Sequence, residues 1–157
     1  MKKNVNLKIT STQYSESLKP SGEAFARELE MEDSLEIQTE GTLYEKTNAR
    51  YIAYDELEDS GLEDARTLVK LEEGQIRIRR YGKEPDDGMD MTLRPGTLNI
   101  TRYKVPMLAA IDLEVYTNKI EDNLDEDGYG TVSVDYRIKF DQFFSRRTIL
   151  EIEVRPS

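Results

Sequence analysis

The arginines of the sequence GQIRIRRYG, residues 74–82, are the first candidates for chemistry in this chain. Neighbouring side chains on a β-strand point to opposite faces, so strand geometry would separate these arginines. Arg80 shares a face with two isoleucines, whereas Arg77 and Arg79 share the other face. We expect Arg77 and Arg79 to face solvent and to pair with acidic residues on neighbouring strands. A charge on the apolar face needs a partner or water, which makes Arg80 a candidate for binding an anion.

A tyrosine and a glutamate on a second predicted strand are candidates for the same site as Arg80. Tyr54 and Glu56 alternate along one face of that strand together with an isoleucine. If this face is also internal, Arg80, Tyr54 and Glu56 form a polar cluster at one end of the interior. The alternative is a structural Arg–Glu ion pair that closes an interior already filled with side chains.

Two acidic stretches contain the residue types of metal or acid–base sites without the full pattern. Residues 123–128, NLDEDG, have the opening spacing of a calcium loop, but Val134 stands where the bidentate glutamate belongs. We therefore expect a hairpin turn there. Residues 54–64, YDELEDSGLED, are typical of an exposed hairpin tip rather than of paired catalytic carboxylates. We expect no metal site and no cofactor.

The composition excludes several classes of function. The 157 residues include no cysteine and no histidine, which excludes disulfides, zinc sites built from Cys or His, and Ser–His or Cys–His catalytic pairs. A net charge of −10 opposes binding to nucleic acid and to anionic membranes, so we expect neither partner. The N-terminal sequence lacks the apolar run of a secretory signal, and we expect the protein in the cytoplasm.

The elements that must position these side chains are predicted to be β-strands. Apolar and polar residues alternate with a period of two, and turn sequences separate the alternating runs. In one run Leu98 and Ile100 are the apolar members, which predicts that they face the interior. Asn99 and Thr101 are its polar members. About nine or ten strands joined by short connections predict a single all-β domain over residues 1–157, folded as an antiparallel up-and-down barrel.

Residues 15–34 interrupt this pattern. The segment SESLKPSGEAFARELEMEDS begins with loop-forming residues and then favours a helix. The spacing after Ser21 predicts a short amphipathic helix whose apolar residues are Ala24, Phe25, Leu29 and Met31. A long strand preceded by a loop is the alternative.

Residues 40–82 resemble the YwiB-like family of small bacterial proteins. The matching residues are Gly41, Tyr44, Lys46, Tyr51, Ile52, Tyr54, Glu56, Thr67, Ile78, Arg80 and Gly82. Residues 96–106, GTLNITRYKVP, resemble the family strand that ends in Tyr-x-Thr-Pro. Judged by strand order, the resemblance covers residues 34–155. Met107 and Leu108 stand where the family has a glycine, so we expect the local turn to differ.

The resemblance implies a lipocalin-like barrel of the calycin class. In calycins an internal Arg and Tyr can hold an anionic head group, which implies a small amphipathic or carboxylate-bearing ligand for this chain. The family has no assigned activity, so the resemblance implies no catalytic residue, and fold alone does not supply function.

Three functions stay open on these grounds. The first is a protein that binds a small molecule through Arg80, Tyr54 and Glu56. The second is a protein-interaction or structural module, either monomeric or homodimeric, whose barrel is filled with side chains. The third is an enzyme that works without His or Cys, which would need an internal carboxyl with a strongly raised pKa. We expect no catalytic residues and favour the first two.

Overall fold

The structure, a computed structural model, describes residues 2–21, 24–55, 66–82, 88–104, 109–139 and 144–157, with side chains outside 16–29 and 144. Its elements are ten β-strands: β1 (Lys2–Ser21), β2 (Ala24–Lys46), β3 (Ala49–Asp55), β4 (Arg66–Glu72), β5 (Gln75–Tyr81), β6 (Gly88–Leu93), β7 (Leu98–Lys104), β8 (Ile111–Leu124), β9 (Gly130–Lys139) and β10 (Phe144–Pro156). Within these ranges no helix has the length and apolar character needed to cross a membrane.

The ten strands form a closed antiparallel barrel in which every strand pairs with its neighbours in sequence. The terminal strands β1 and β10 close the barrel, with Val5 opposite Pro156 at one end of the pairing and Ser17 opposite Phe144 at the other. Closure gives β1 and β10 a second neighbour and so removes two exposed sheet edges. The prediction of an all-β, up-and-down antiparallel barrel is confirmed.

Tight turns fix the register of the hairpins. Between β2 and β3, Thr47 and Asn48 have φ values of 51° and 62°. A type I′ turn requires positive φ at both central residues and matches the twist of antiparallel strands. Between β8 and β9, the Asp125 carboxylate accepts hydrogen bonds from the backbone N–H groups of Asp127 at 2.9 Å and Tyr129 at 3.0 Å. The hairpin turn predicted for this acidic loop is confirmed.

The short helix predicted after Ser21 is wrong, because strand β2 occupies that part of the chain. β2 pairs with β1 from Ala24, opposite Ser21, as far as Tyr44, opposite Lys2. A lone short helix is marginal in water, since its first turn is costly to form. The long hairpin instead satisfies backbone donors and acceptors along the entire length of β1. The alternative of a long strand is the correct one.

The core lies inside the barrel and consists of the inward members of the alternating runs. β1, β5 and β9 each contribute apolar side chains at every second position. The largest fully buried apolar side chains are Ile52, Met91, Leu93, Val5, Val69, Val115, Val132 and Val154. Period-two patterning therefore builds a continuous core across strands that are distant in sequence.

Strand β7 has the opposite orientation to the one predicted. Leu98 and Ile100 are 55% and 62% exposed on the outer face, whereas Thr101 is 1% exposed. The neighbouring strand accounts for this orientation, because Asn99 lies opposite Val115, which faces the core. A shift of one residue in the pairing of β7 with β8 would turn every side chain of β7 to the opposite face of the sheet. The pairing register therefore outweighs the preference of Leu98 and Ile100 for the interior.

Candidate functional site

Strand β5 presents Arg80 on the inner face and the other two arginines on the outer face. The two isoleucines that share a face with Arg80 are buried in the core. Outside, the Arg77 guanidinium donates hydrogen bonds of 2.9 and 2.6 Å to the Asp90 carboxylate, and Arg79 lies 3.5 Å from the same group. The hydrogen bond from Arg77 holds the pKa of Asp90 below its usual value. The predicted division of the three arginines is confirmed.

Tyr54, Thr67 and Arg80 form a row across three neighbouring strands, which we call the first polar row. Tyr54 lies opposite Thr67 on β4, and Thr67 lies opposite Arg80 on β5. Tyr54 and Thr67 are buried, and Arg80 is partly buried. The structure therefore brings two of the three predicted site residues close together. Glu56, the third, lies outside the described residues.

Thr117, Tyr136 and Thr148 form the second polar row, on the strands of the opposite wall. Thr117 lies opposite Tyr136, and Tyr136 lies opposite Thr148. Both threonines are buried, and Tyr136 packs against the core. Each of the three occupies an inward position, so this row adds hydroxyl groups to the interior of the barrel.

The two polar rows influence each other electrostatically through Tyr136. Burial raises the pKa of the Tyr136 hydroxyl, whereas the positive charge of Arg80 and a hydrogen bond with Thr148 act to lower it. The net effect is a raised pKa, so Tyr136 is neutral at pH 7 and can both donate and accept a hydrogen bond. Arg80 and Tyr136 are on β5 and β9, so their interaction spans the interior.

Two hydroxyl groups on the inner face have no hydrogen-bond partner within the described part of the chain. They are the Oγ1 atoms of Thr101 and Thr117, whose residues are 1% and 0% exposed. Buried polar groups are normally hydrogen-bonded, and leaving one unsatisfied costs about 1–3 kcal/mol. These hydroxyls are therefore suited to the polar atoms of a bound molecule.

On several strands, apolar inward residues lie on one side of the polar rows. Along β5 two isoleucines precede Arg80, and along β9 two valines precede Tyr136. β10 runs in the opposite direction, and there Thr148 comes before its apolar inward residues. The polar groups of all three strands therefore lie toward the same end. Val115 and Ile138, which lie opposite each other on the far side of the second polar row, are apolar again, so this row crosses an otherwise apolar interior.

The sequence pattern did not predict Thr117, Tyr136 or Thr148 as site residues. Each is a hydroxyl-bearing residue at an inward position of a strand whose other inward residues are mostly apolar. A hydroxyl-bearing residue at one of these otherwise apolar inward positions is a signal that the sequence itself contains. The sequence does not say which of these residues face one another, because that depends on how distant strands close into a barrel.

Two surface grooves lie away from the polar rows. One, of about 510 Å³, lies beside the β2–β3 turn and is lined in part by Arg50, Glu72 and Asp122. The other, of about 440 Å³, is lined in part by Lys8 and Gln38 on β1 and β2. Both grooves are open to solvent and lined largely by polar and charged residues. Among the described residues, no group of three or more Asp and Glu side chains is arranged to hold a metal ion.

The strand order and the inward-facing rows define this chain as a closed antiparallel β-barrel with a partly polar interior. Residues 24–152 match the family described as a domain of unknown function, DUF1934. This match covers most of the chain, and the chain belongs to that family. The resemblance to the YwiB-like family seen in the sequence is confirmed.

Similar proteins support the same assignment. The chain is 30% identical over 105 residues to the uncharacterized beta-barrel protein YwiB of Bacillus subtilis strain 168, across 67% of this chain and 69% of YwiB. The crystal structure of the ywiB protein from Bacillus subtilis matches with a TM-score of 0.64 and 22% identity, over 96% of this chain and 92% of the other. The structural likeness shows that the two proteins share the barrel fold.

Proposed function

We propose that this protein binds a small anionic or amphipathic molecule inside its barrel, in the cytoplasm, without catalysing a reaction. Arg80 binds the anionic group, because a guanidinium donates two parallel hydrogen bonds to a carboxylate. Tyr54 and Tyr136 supply further polar contacts, and Glu56, which strand alternation predicts on the same face as Tyr54, is the third residue of the proposed site. The apolar part of the ligand packs against the aliphatic side chains of the interior. The calycin-like relationship expected from the sequence is part of this proposal.

The observation that carries the proposal is the pair of buried hydroxyls on Thr101 and Thr117. Neither has a hydrogen-bond partner within the described residues, although both are almost fully buried. A polar ligand would remove the cost of these unmade hydrogen bonds. Thr117 also lies opposite Tyr136, the residue whose pKa responds to Arg80, so hydroxyl and cation lie in connected parts of the interior.

The proposal predicts that Arg80→Leu abolishes retention of a bound molecule, because the leucine cannot donate hydrogen bonds to an anion. The wild-type protein and the variant are purified from the native host, and each mass is measured by native mass spectrometry and again after denaturation. The wild-type protein is expected to carry a non-covalent adduct that Arg80→Leu lacks.

Arg79→Leu is the matched control, since it removes an arginine from the outer face of the same strand. It is expected to keep the adduct. Circular dichroism establishes that both variants are folded. An Arg80→Leu protein that is folded and carries the same adduct at the same occupancy would contradict the assignment of Arg80.

A second candidate function is a homodimeric interaction module with a barrel filled by side chains. The observation that favours it is an exposed apolar strip on the outer face of β7 and β8. Leu98 lies opposite Tyr116, which is 37% exposed, and Ile100 is adjacent on the same face of β7. Adjacent exposed apolar residues of this kind are typical of interaction surfaces.

This candidate predicts that Ile100→Lys converts a dimer to a monomer, because a lysine would have to be buried in the interface. Light scattering coupled to size-exclusion chromatography is expected to give twice the chain mass of 18.2 kDa for the wild-type protein and the single mass for Ile100→Lys. Asn123→Lys, at an exposed position of β8, makes the same charge change and is expected to leave the dimer intact. A wild-type protein with the single mass would rule this candidate out.

A further inference from the structure

The pairing between β6 and β7 is much shorter than the strands themselves. Within the described part of the chain, the two strands pair at two positions, Gly88 with Lys104 and Met89 with Tyr103. Beyond these pairs, residues 90–93 of β6 and 98–102 of β7 form no backbone ladder with each other, and we call this stretch the seam. Both strands and the turn that joins them at the seam are described, and residues 83–87 and 105–108, outside the described part, adjoin the paired ends.

Each strand of the seam is held by hydrogen bonds on its other side. β6 pairs with β5 along its whole length, and β7 pairs with β8 from Leu98 to Tyr103. The turn between β6 and β7 is bonded to β8 as well, because the Gly96 N–H donates to the Thr117 carbonyl at 2.9 Å and the Thr117 N–H donates to the Thr97 carbonyl at 3.2 Å. The seam is therefore a boundary between two well-bonded parts of the barrel wall.

Side chains close the seam where the backbone ladder is missing. Met91 and Leu93, on the inner face of β6, are 2% and 0% exposed. The Asn99 side-chain amide donates a hydrogen bond of 2.9 Å across the seam to the Thr92 carbonyl oxygen. Dispersion contacts are weak individually, and this side-chain bond stands in for the regular backbone bonds of an antiparallel pair. The seam is thus shut in this structure but weakly held.

The inner face of β7 is polar, which lowers the free energy of opening the seam. Asn99, Thr101 and Tyr103 occupy the inward positions, whereas the apolar residues Leu98 and Ile100 are already exposed. The Thr101 hydroxyl is buried without a hydrogen-bond partner within the described residues. Water that enters an open seam would supply this partner, and the two exposed apolar side chains would lose no burial.

We propose that the seam between β6 and β7 is a gate that opens locally and admits small molecules to the interior of the barrel. β7 moves with β8 and the connecting turn, and the two residue pairs at the other end of β6 and β7 stay bonded. A local opening of this kind breaks few hydrogen bonds, so it occurs far more often than global unfolding. As an entry route for a ligand the gate rests on the function proposed above, whereas the opening itself needs no ligand.

Single cysteines test the gate, because the chain contains none of its own. Thr101→Cys places a thiol in the seam at a position that is 1% exposed. Thr148→Cys is the matched control, at a 3% exposed position of β10, which pairs with a strand on each side. The reagent is dithiobisnitrobenzoate, a small anionic aromatic disulfide whose reaction with a thiol is followed by absorbance.

The Thr101→Cys thiol is expected to react about tenfold or more faster than the Thr148→Cys thiol. Thr148→Cys also loses the hydrogen bond with Tyr136, which works against this difference. Urea unfolding of each variant gives the reaction rate that global unfolding alone would allow. Equal rates for the two folded variants, or a Thr101→Cys rate no higher than the global-unfolding rate, would overturn the gate.

A second pair of variants keeps the test decisive if Thr101→Cys does not fold. Met91→Cys places a thiol on the β6 side of the seam, and Val132→Cys places one on β9, which pairs on both sides. Both positions are 2% exposed. The Met91→Cys thiol is expected to react about tenfold or more faster, and equal rates would again overturn the gate.

Two asparagine variants in the Thr101→Cys protein test the location of the opening. Asn99→Ala removes the bond across the seam and is expected to raise the reaction rate about threefold or more. Asn118→Ala removes a comparable bond of 3.1 Å to Asp135, between β8 and β9, and should change the rate less than about twofold. Equal acceleration by both would overturn the assignment to the seam.

The native mass spectra described above separate the gate from the ligand. A Thr101→Cys thiol that reacts as expected, in a protein that carries no adduct, would support the opening of the seam and contradict the proposed ligand binding. A protein that carries the adduct but whose Thr101→Cys thiol reacts no faster than the control would support ligand binding and overturn the gate.

Discussion

Thr117 carries a hydroxyl group that is fully buried and has no hydrogen-bond partner among the described residues. Thr148, on the other side of Tyr136, carries a buried hydroxyl that shares a hydrogen bond with that tyrosine. The two threonines thus have the same chemistry and nearly the same burial, and they differ in whether the hydroxyl is satisfied. Comparing the two threonines therefore measures how much the unsatisfied hydroxyl lowers the free energy of unfolding.

We predict that Thr117→Val stabilises the ligand-free protein by about 1 kcal/mol, because it removes an unsatisfied buried hydroxyl. Thr148→Val should destabilise it by about 1 kcal/mol, because Tyr136 loses a partner. Urea unfolding of both variants and the wild-type protein gives the free energies of unfolding. If both variants lose stability equally, the Thr117 hydroxyl is satisfied in solution, and the main support for ligand binding is lost.

Two ion pairs between neighbouring strands have nearly the same geometry and differ in burial. On β9 and β10, Arg147 donates hydrogen bonds of 2.9 and 2.5 Å to Asp135. On β5 and β6, Arg77 makes the equivalent pair of bonds to Asp90 at 2.9 and 2.6 Å. The Asp135 side chain is 16% exposed and the Asp90 side chain 42%. The two pairs therefore differ in burial and in their further partners, because Asn118 also donates a hydrogen bond to Asp135 and Arg79 lies 3.5 Å from Asp90.

Asp135→Asn is predicted to lower the free energy of unfolding by about 1–3 kcal/mol, and Asp90→Asn by less than about 1 kcal/mol. Burial tends to raise the pKa of Asp135, but hydrogen bonds from Arg147 and Asn118 hold it below its usual value. Because the folded-state pKa is lowered, the ionised Asp135 carboxylate stabilises the folded protein at pH values above the unfolded-state pKa of about 4. This stabilisation is lost as the pH falls through the folded-state pKa.

Denaturant unfolding at pH 7 and at a series of pH values below 4 checks both parts of this prediction. The difference in the free energy of unfolding between the wild-type protein and Asp135→Asn should decrease steadily as the pH falls. A gap that stays constant across this range would show that the asparagine disturbs packing and that the ionised carboxylate is not the source of the effect.

On the scale of the whole molecule, the charge balance opposes folding. The chain has 32 acidic and 22 basic residues, a net charge of −10, and compacting it brings like charges together. Salt shortens the range of this repulsion from about 30 Å at 0.01 M to about 8 Å at 0.15 M.

We therefore predict that the midpoint of thermal unfolding rises by about 3 °C or more between 0.01 M and 0.15 M sodium chloride. Differential scanning calorimetry at pH 7 measures the shift. Repeating the scans with a triple variant that changes Glu73, Asp112 and Glu151 to lysine should give a smaller rise, because that variant has a net charge nearer to zero. A midpoint that falls with salt would show that the cross-strand ion pairs outweigh the net repulsion.

Several features follow from local patterns and were predictable from the sequence. The period-two alternation led to an all-β barrel with about the right number of strands, and it divided Arg80 from Arg77 and Arg79 correctly. Alternation suffices here because neighbouring side chains of any strand must point to opposite faces, whatever the rest of the fold does. The family was also recognisable from single residues in the segment 40–82.

Other features depend on contacts between residues that are far apart in the chain. Leu98 and Ile100 face outward because the register with β8 outweighs their hydrophobicity, and β2 extends as far as Ala24 because β1 offers it a partner. Barrel closure also brings Arg80 near enough to Tyr136 for its positive charge to act on the pKa of that hydroxyl. The register of the strands and the closure of the barrel depend on contacts across the whole sheet. They therefore cannot be predicted from a short stretch of the sequence.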